Sequence, residues 1–187
     1  MAEKISRRDL TVEPGERGLV QIFTGDGKGK TTAALGTIVR ALGHHLRVSV
    51  IFFMKGEYPY GERKVLSGLP GVIVKSFGSE DFVFPERVKA EQKEQAEQAL
   101  RAGRKDIMSG DFDLVVLDEI LVAAAFKMIS VDDVLQLIKE KPQKVDLILT
   151  GRKADPRLIE AADLATEMVK IKHPFDKGLP AKPGLDY

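Results

Sequence analysis

From Leu19 onward, short apolar runs alternate with longer amphipathic ones. The runs "LVQIF" (19–23), "VSVIFFM" (48–54), "VIVKSF" (72–77), "LVVLDE" (114–119), "DLILTG" (146–151) and "MVKIK" (168–172) read as strands. Between them, "KTTAALGTIVRALG" (30–43), "YGERKVLSGL" (60–69), "PERVKAEQKEQAEQALRAGRKDIM" (85–108), "SVDDVLQLIKE" (130–140) and "DPRLIEAADLA" (155–165) repeat their apolar residues at helical spacing. Start signals accompany several of these. Pro85 heads the long helix, Ser130 stands three residues before Asp133, and Asp155 precedes Pro156. Strands nearly continuous in Val, Ile and Leu suit a mostly parallel sheet covered on both faces, so the pattern predicts an α/β sandwich with helices on either side.

The segment 1–17 is charged and aperiodic and is expected to be a flexible N-terminal arm; residues 18–187 are expected to form a single α/β domain. The closing stretch "HPFDKGLPAKPGLDY" is rich in Gly and Pro and reads as a tail laid over the domain.

Composition narrows the classes of function. A formal charge of +1 supplies no field that would draw in nucleic acid or an anionic membrane surface, so neither is expected as a partner. The absence of cysteine excludes disulfides and thiolate zinc sites and fits a cytoplasmic protein. No apolar run approaches the ~20 residues needed to span a bilayer, and "MAEKISRRDLTVEPGERG" has no apolar secretion core.

The chemistry lies in "TGDGKGKTT", Thr24 to Thr32, placed between a buried strand and a helix. Gly25, Gly27 and Gly29 let backbone N–H groups turn inward around an anion; Lys30 adds a mobile charge, and the helix points its positive end at the same spot. Thr31 is placed to offer its hydroxyl to Mg²⁺. The usual phosphate-loop fingerprint opens on Gly, whereas Thr24 stands there in this chain. Lys28 is a further cation within the loop. A partner carboxylate should end a buried strand, and "LVVLDE" delivers Asp118 and Glu119 to such an end, where ligands of open parallel sheets bind. These residues predict a nucleotide with magnesium and leave the reaction open. A small-molecule kinase with Asp118 or Glu119 as base, or a non-catalytic ATP-sensing module, would use the same parts.

Taken together, "FTGDGKGKTTAALGT", "RALGH", "FFMKGEYPYGE", "VVLDEI", "LTGR" and "KHPFDKGLPAKPGLDY" resemble the ATP:corrinoid adenosyltransferases, in order from about Gly18 to Tyr187. That family shares the Thr24 departure. The resemblance implies a RecA-like P-loop fold and transfer of the 5′-deoxyadenosyl group of ATP to the Co(I) of a corrinoid (cobalamin, cobinamide or cobyrinic acid a,c-diamide), with tripolyphosphate as the leaving group. It implies ATP contacts from Gly25, Asp26, Gly27, Lys28, Gly29, Lys30, Thr31 and Thr32, and from the basic Arg40 and Arg152. Magnesium contacts are implied for Thr31, Asp118 and Glu119, with Lys30, Thr31 and Glu119 carrying the catalysis. Phe82 and Phe84 in "FGSEDFVFP" match the family's bulky residues beneath the corrinoid, where one branch has a Trp that this chain lacks. The resemblance also implies a homodimer and an electron-donor protein such as a reduced flavoprotein. Of the remaining standouts, His44 and His45 read as the cap of the loop helix, and His173 as structural or functional alike.

Overall fold

The computed structural model describes residues 17–56, 59–79 and 83–187. Six strands form one sheet in which every pairing is parallel: β1 (Val20–Thr24), β2 (Val48–Phe52), β3 (Val72–Ser76), β4 (Leu114–Asp118), β5 (Asp146–Thr150) and β6 (Leu164–Glu167). Their order across the sheet is β3-β2-β4-β5-β1-β6. The strand that feeds the glycine loop, β1, is thus separated from the acid-bearing β4 by one strand, β5.

Among the described residues six α-helices connect them: α1 (Lys30–Gly43), α2 (Gly61–Leu66), α3 (Ala90–Ser109), α4 (Ile120–Ala125), α5 (Val131–Glu140) and α6 (Pro156–Ala161). Alternation along the strands divides the core in two. Ile22, Ile51, Val115, Leu117, Leu147 and Leu149 face α3 to α6, which contribute Ala99, Ile107, Leu121, Leu137 and Leu158. Phe23, Val50, Phe52, Val116 and Ile148 face the other way, against Ala34 and Ile38 of α1 and Leu66 of α2. Central strands β2 and β4 are buried at every position, which is why they read as nearly continuous apolar runs; the one polar residue in their interiors, Ser49, is paired with Asp106 at 2.6 Å. Burial on both faces is the α/β sandwich that the pattern predicts.

Three local expectations are corrected. The last strand is "LATE", not "MVKIK": β6 pairs with β1 alone, and β1 ends at Thr24. Beyond that point the chain has no strand to pair with and lies against the glycine loop, leaving Ile171 92% exposed. Pro85 heads a separate 3-10 turn, Pro85–Arg87, while α3 begins at Ala90, where Lys89 N–H donates to Gln92 Oε1 at 3.0 Å. Val88 and Lys89 are extended between the two, so one apolar-periodic stretch becomes two elements. Helix α4 was not anticipated, because "ILVAAA" is apolar all round and merges with β4 in the pattern. What separates them is Glu119, whose left-handed backbone (φ 65°) turns the chain off the sheet.

Ser130 and Asp155 do cap α5 and α6, accepting the N–H of Asp133 and Arg157 respectively. Among the described residues no helix is long and apolar enough to cross a membrane.

Candidate active site

The site forms where β1, β2, β4 and β5 end side by side. Gly25 (φ 99°) and Gly29 (φ 121°) adopt backbone angles that disfavour any other residue. A second reason for glycine comes from β6. A Cβ on Gly25 or Gly27 would stand 2.5 or 2.6 Å from the carbonyl oxygen of Met168, and that same oxygen accepts the Gly27 N–H at 2.6 Å. The exit of β6 therefore braces the loop from behind.

Lys30 opens α1 and folds its side chain back into the loop, where Nζ donates to the carbonyls of Gly25 (2.9 Å) and Gly27 (2.6 Å). Burial, with Arg152 nearby, holds its pKa below the usual lysine value. An ammonium that is buried and repelled in this way is one that gains from an arriving anion. Arg152, exposed after β5, lines the same cavity.

Asp118, 1% exposed, is fixed at both oxygens. Its Oδ1 accepts from Thr31 Oγ1 at 2.9 Å and from Thr150 Oγ1 at 2.7 Å. Its Oδ2 pairs with Lys55 Nζ at 2.7 Å and has no other partner among the described residues. Burial alone would lower the pKa of Lys55; its ion pair and hydrogen bond with Asp118 outweigh that, and the net shift is upward. Thr150 comes from β5, the strand between the loop strand and the acid strand, and its hydroxyl also accepts the Glu119 N–H at 2.9 Å.

Beside it, the Glu119 carboxylate meets no hydrogen-bond or ion-pair partner among the described residues. Burial and then the adjacent Asp118 push its pKa up. A half-buried carboxylate next to another, left without a partner, is stabilised by a cation. No cluster of three or more His, Cys, Asp or Glu occurs among the described residues. A Mg²⁺ arriving with phosphates would need only one or two carboxylates from the protein. The Glu119 carboxylate, with the Thr31 hydroxyl near Asp118, fits that need.

A cavity of about 660 Å³ spans the loop from Gly27 to Thr32, Lys55, Glu119 and Arg152. Its outer wall is the C-terminal tail, Gly184 to Tyr187, whose Asp186 accepts from Lys28 Nζ at 2.5 Å. A second, more apolar cavity of about 370 Å³ opens beside it, lined among others by Phe53, Met54, Val83, Val122 and Phe126. A groove of about 640 Å³ between α3 and the start of α5 holds charged side chains but no part of the glycine loop.

Of the residues singled out in the sequence, the structure brings together Gly25, Gly27, Lys28, Gly29, Lys30, Thr31, Thr32, Asp118, Glu119 and Arg152. Asp26 is exposed in the loop. Arg40 is not brought to the loop: it sits exposed in the last turn of α1, about 15 Å along the helix from Lys30 at 1.5 Å per residue. Phe82 lies outside the described residues. Phe84 is 61% exposed just before the 3-10 turn and is not strand core, while its neighbour Val83 lines the apolar cavity. His44 caps α1 as read; His173 Nδ1 accepts the Phe175 N–H, and the residue also lines the larger cavity.

Sequence reasoning missed Lys55, Thr150 and Asp186. A signal existed for the first two, since each is the first polar residue after an apolar run, Val50–Met54 or Leu147–Leu149, at or just past a strand's C-terminal end.

Comparison with known proteins decides among the reactions such a site could run. The family described as ATP:corrinoid adenosyltransferase BtuR/CobO/CobP matches residues 16–187. The chain belongs to that family. It is 34% identical over 185 residues to the corrinoid adenosyltransferase of Escherichia coli K12, covering 99% of this chain and 93% of that one. To the corrinoid adenosyltransferase of a Sinorhizobium species it is 36% identical over 191 residues, covering 100% and 89%. To corrinoid adenosyltransferase CobA of Salmonella typhimurium LT2 it is 34% identical over 172 residues, covering 92% and 87%. The chain is accordingly a transferase, and its reaction is adenosyl transfer from ATP to a corrinoid. Among solved structures, the flagellar accessory protein FlaH of Methanocaldococcus jannaschii superimposes with a TM-score of 0.55 at 17% identity, over 81% of this chain and 71% of that one. That likeness speaks to the fold, a RecA-like P-loop sheet.

Proposed function

We propose that the chain joins the 5′ carbon of ATP to the Co(I) of a corrinoid and releases tripolyphosphate, the glycine loop holding the leaving group. The lone pair of Co(I) forms the cobalt–carbon bond, the carbon–oxygen bond breaks with its electrons on oxygen, and no proton moves. Supporting this reading above all, the phosphate-loop cavity shares a wall with an apolar cavity, so a polyphosphate and a large apolar-faced acceptor can meet at one carbon.

Gly25 to Thr32 bind the phosphates with backbone N–H groups. As negative charge grows on the departing chain, Lys30 is free to exchange its two loop carbonyls for phosphate oxygens, a charge-assisted bond that strengthens toward the transition state. Arg152 adds a second charge at the rim. Thr31 and Glu119, with Asp118 behind them, would hold a Mg²⁺ arriving with the phosphates, and that ion would supply further positive charge there. Asp118 orients the Thr31 hydroxyl. Glu119 has no water to activate in this chemistry, so its part is electrostatic.

The acceptor side falls to the apolar cavity and the segment carrying Phe84, whose exposure leaves its ring available to cover a ligand face. The reading further takes the protein as a cytoplasmic homodimer served by an electron donor such as a reduced flavoprotein. The exposed apolar residues Val169, Ile171 and Phe175 beyond the edge strand favour a partner surface. The domain reading, one P-loop unit over 18–187 after an arm, draws support from the single sheet that takes strands from Val20 to Glu167.

Phosphorus NMR of ATP, Mg²⁺, strong reductant and cobalamin tests the proposal. Tripolyphosphate that appears only with reduced corrinoid is expected. ADP with a phosphorylated acceptor would turn the site into a kinase, and nucleotide binding without any product would make it a sensor.

A further inference from the structure

We propose that Lys55 is a second catalytic cation, acting on the leaving oxygen at the junction of the two cavities. The inference rests on the transfer reading above and adds a residue to it. Five residues line both cavities: Lys55, Tyr60, Glu119, Asp186 and Tyr187. Lys55 is the cation among them. If phosphates fill one cavity and the acceptor the other, the carbon–oxygen bond that breaks lies at their common wall. The electron pair of that bond, and hence new negative charge, then appears on oxygen beside this ammonium.

The side chain is held as a fixed charge is expected to be. Only 8% of the residue is exposed, an unusual placement for lysine. Nζ sits over the rings of Phe52 (4.9 Å) and Tyr60 (4.8 Å), and Glu62 Oε1 is 3.8 Å away, beyond hydrogen-bond reach. Its Nζ pairs with Asp118 Oδ2 at 2.7 Å and donates no other hydrogen bond among the described residues, so it retains N–H groups to offer an incoming oxygen.

The backbone is pinned as well. Lys55 N–H donates to the Phe77 carbonyl at 3.1 Å, and its own carbonyl accepts from Ser76 Oγ and from Arg63 at 3.2 Å. Met54 before it takes a left-handed backbone (φ 55°), and Gly78 permits the close approach, since a Cβ there would stand 2.7 Å from the Met54 carbonyl carbon. A lysine needed merely to neutralise Asp118 would not require a seat on both cavities.

The test uses the full chain with ATP, Mg²⁺ and chemically reduced cobalamin. We expect Lys55→Met to bind ATP within about threefold of wild type while its single-turnover rate falls about 100-fold or more, as for loss of one oxyanion donor. Lys55→Arg should recover part of that rate, and it also carries the test if the Met variant does not fold.

Adding Lys55→Met to Asp118→Asn separates catalysis from simple charge balance. A double variant still far slower than Asp118→Asn alone supports the proposal; one equally fast reduces Lys55 to a counter-ion and overturns it. An unchanged rate in Lys55→Met, or a loss explained wholly by weaker ATP binding, overturns it too. Lys30→Ala run in parallel isolates the underlying reading: if that variant binds ATP and releases tripolyphosphate normally, the loop assignment has failed, whatever Lys55 does.

Discussion

Replacing Thr150 by Val removes one hydroxyl, keeps the shape, and strands two buried groups. Thr150 is completely buried, donates to Asp118 Oδ1 at 2.7 Å and accepts from the Glu119 N–H at 2.9 Å. A hydrogen bond to a charged acceptor contributes about 1.5–3 kcal/mol, and a buried amide left unpaired costs about 1–3 kcal/mol. The two losses share one side chain and relax together, and Asp118 keeps Thr31 and Lys55. We therefore expect a loss of about 2–4 kcal/mol, a large part of the ~5–15 kcal/mol typical of a domain.

For a chain of this size that lowers Tm by about 5–15 °C. Urea unfolding should show a lower midpoint with an unchanged slope. Thr150→Ser is the control: it keeps the hydroxyl, gives up a methyl, and should cost only about 0.5–1.5 kcal/mol. If Val proves as stable as Ser, the hydroxyl does not organise the two carboxylates and the reasoning fails.

The pH dependence of the ligand-free protein should carry the mark of Glu119. Burial and Asp118 raise its pKa above the ordinary 4.5, so the folded form keeps a proton that the unfolded chain releases, and stability drops as pH rises from 4.5 through the raised value. Glu119→Gln should then melt higher than wild type at pH 8 in chelator, with the gap closing toward pH 4.5; a gap independent of pH would show that the carboxylate is not strained. Gly25→Ala combines a backbone angle of 99° with a Cβ 2.5 Å from the Met168 carbonyl oxygen. Strain of about 1–3 kcal/mol is expected, together with weaker ATP binding as the loop shifts from β6, and unaltered ATP affinity in a dialysis assay would exclude that brace.

Much of the site was legible because it is local. A loop of glycines followed by Lys30 and Thr31, between a strand and a helix, places its own anion-binding groups whatever the rest of the chain does. Asp118 was legible for a similar reason, as the first charge after four apolar residues. Lys55 and Thr150 carried only a faint form of that signal. Their meaning depends on β2, β4 and β5 being neighbours, and strand order is not written in any one segment. Arg40 shows the reverse limit: it lies on the loop helix, but 10 residues of rise carry it away from the loop, which no local pattern reveals.

The sequence by itself determined the alternation of elements, the phosphate loop and the family, because short-range periodicity and backbone freedom are properties of neighbouring residues. Only the tertiary structure decided which residues share a cavity. The register of parallel strands brought Thr150 to Asp118 across 32 positions, and the tail's return brought Asp186 to Lys28 across 158. Contacts of that span depend on the packing of the whole sheet, and no local pattern encodes them.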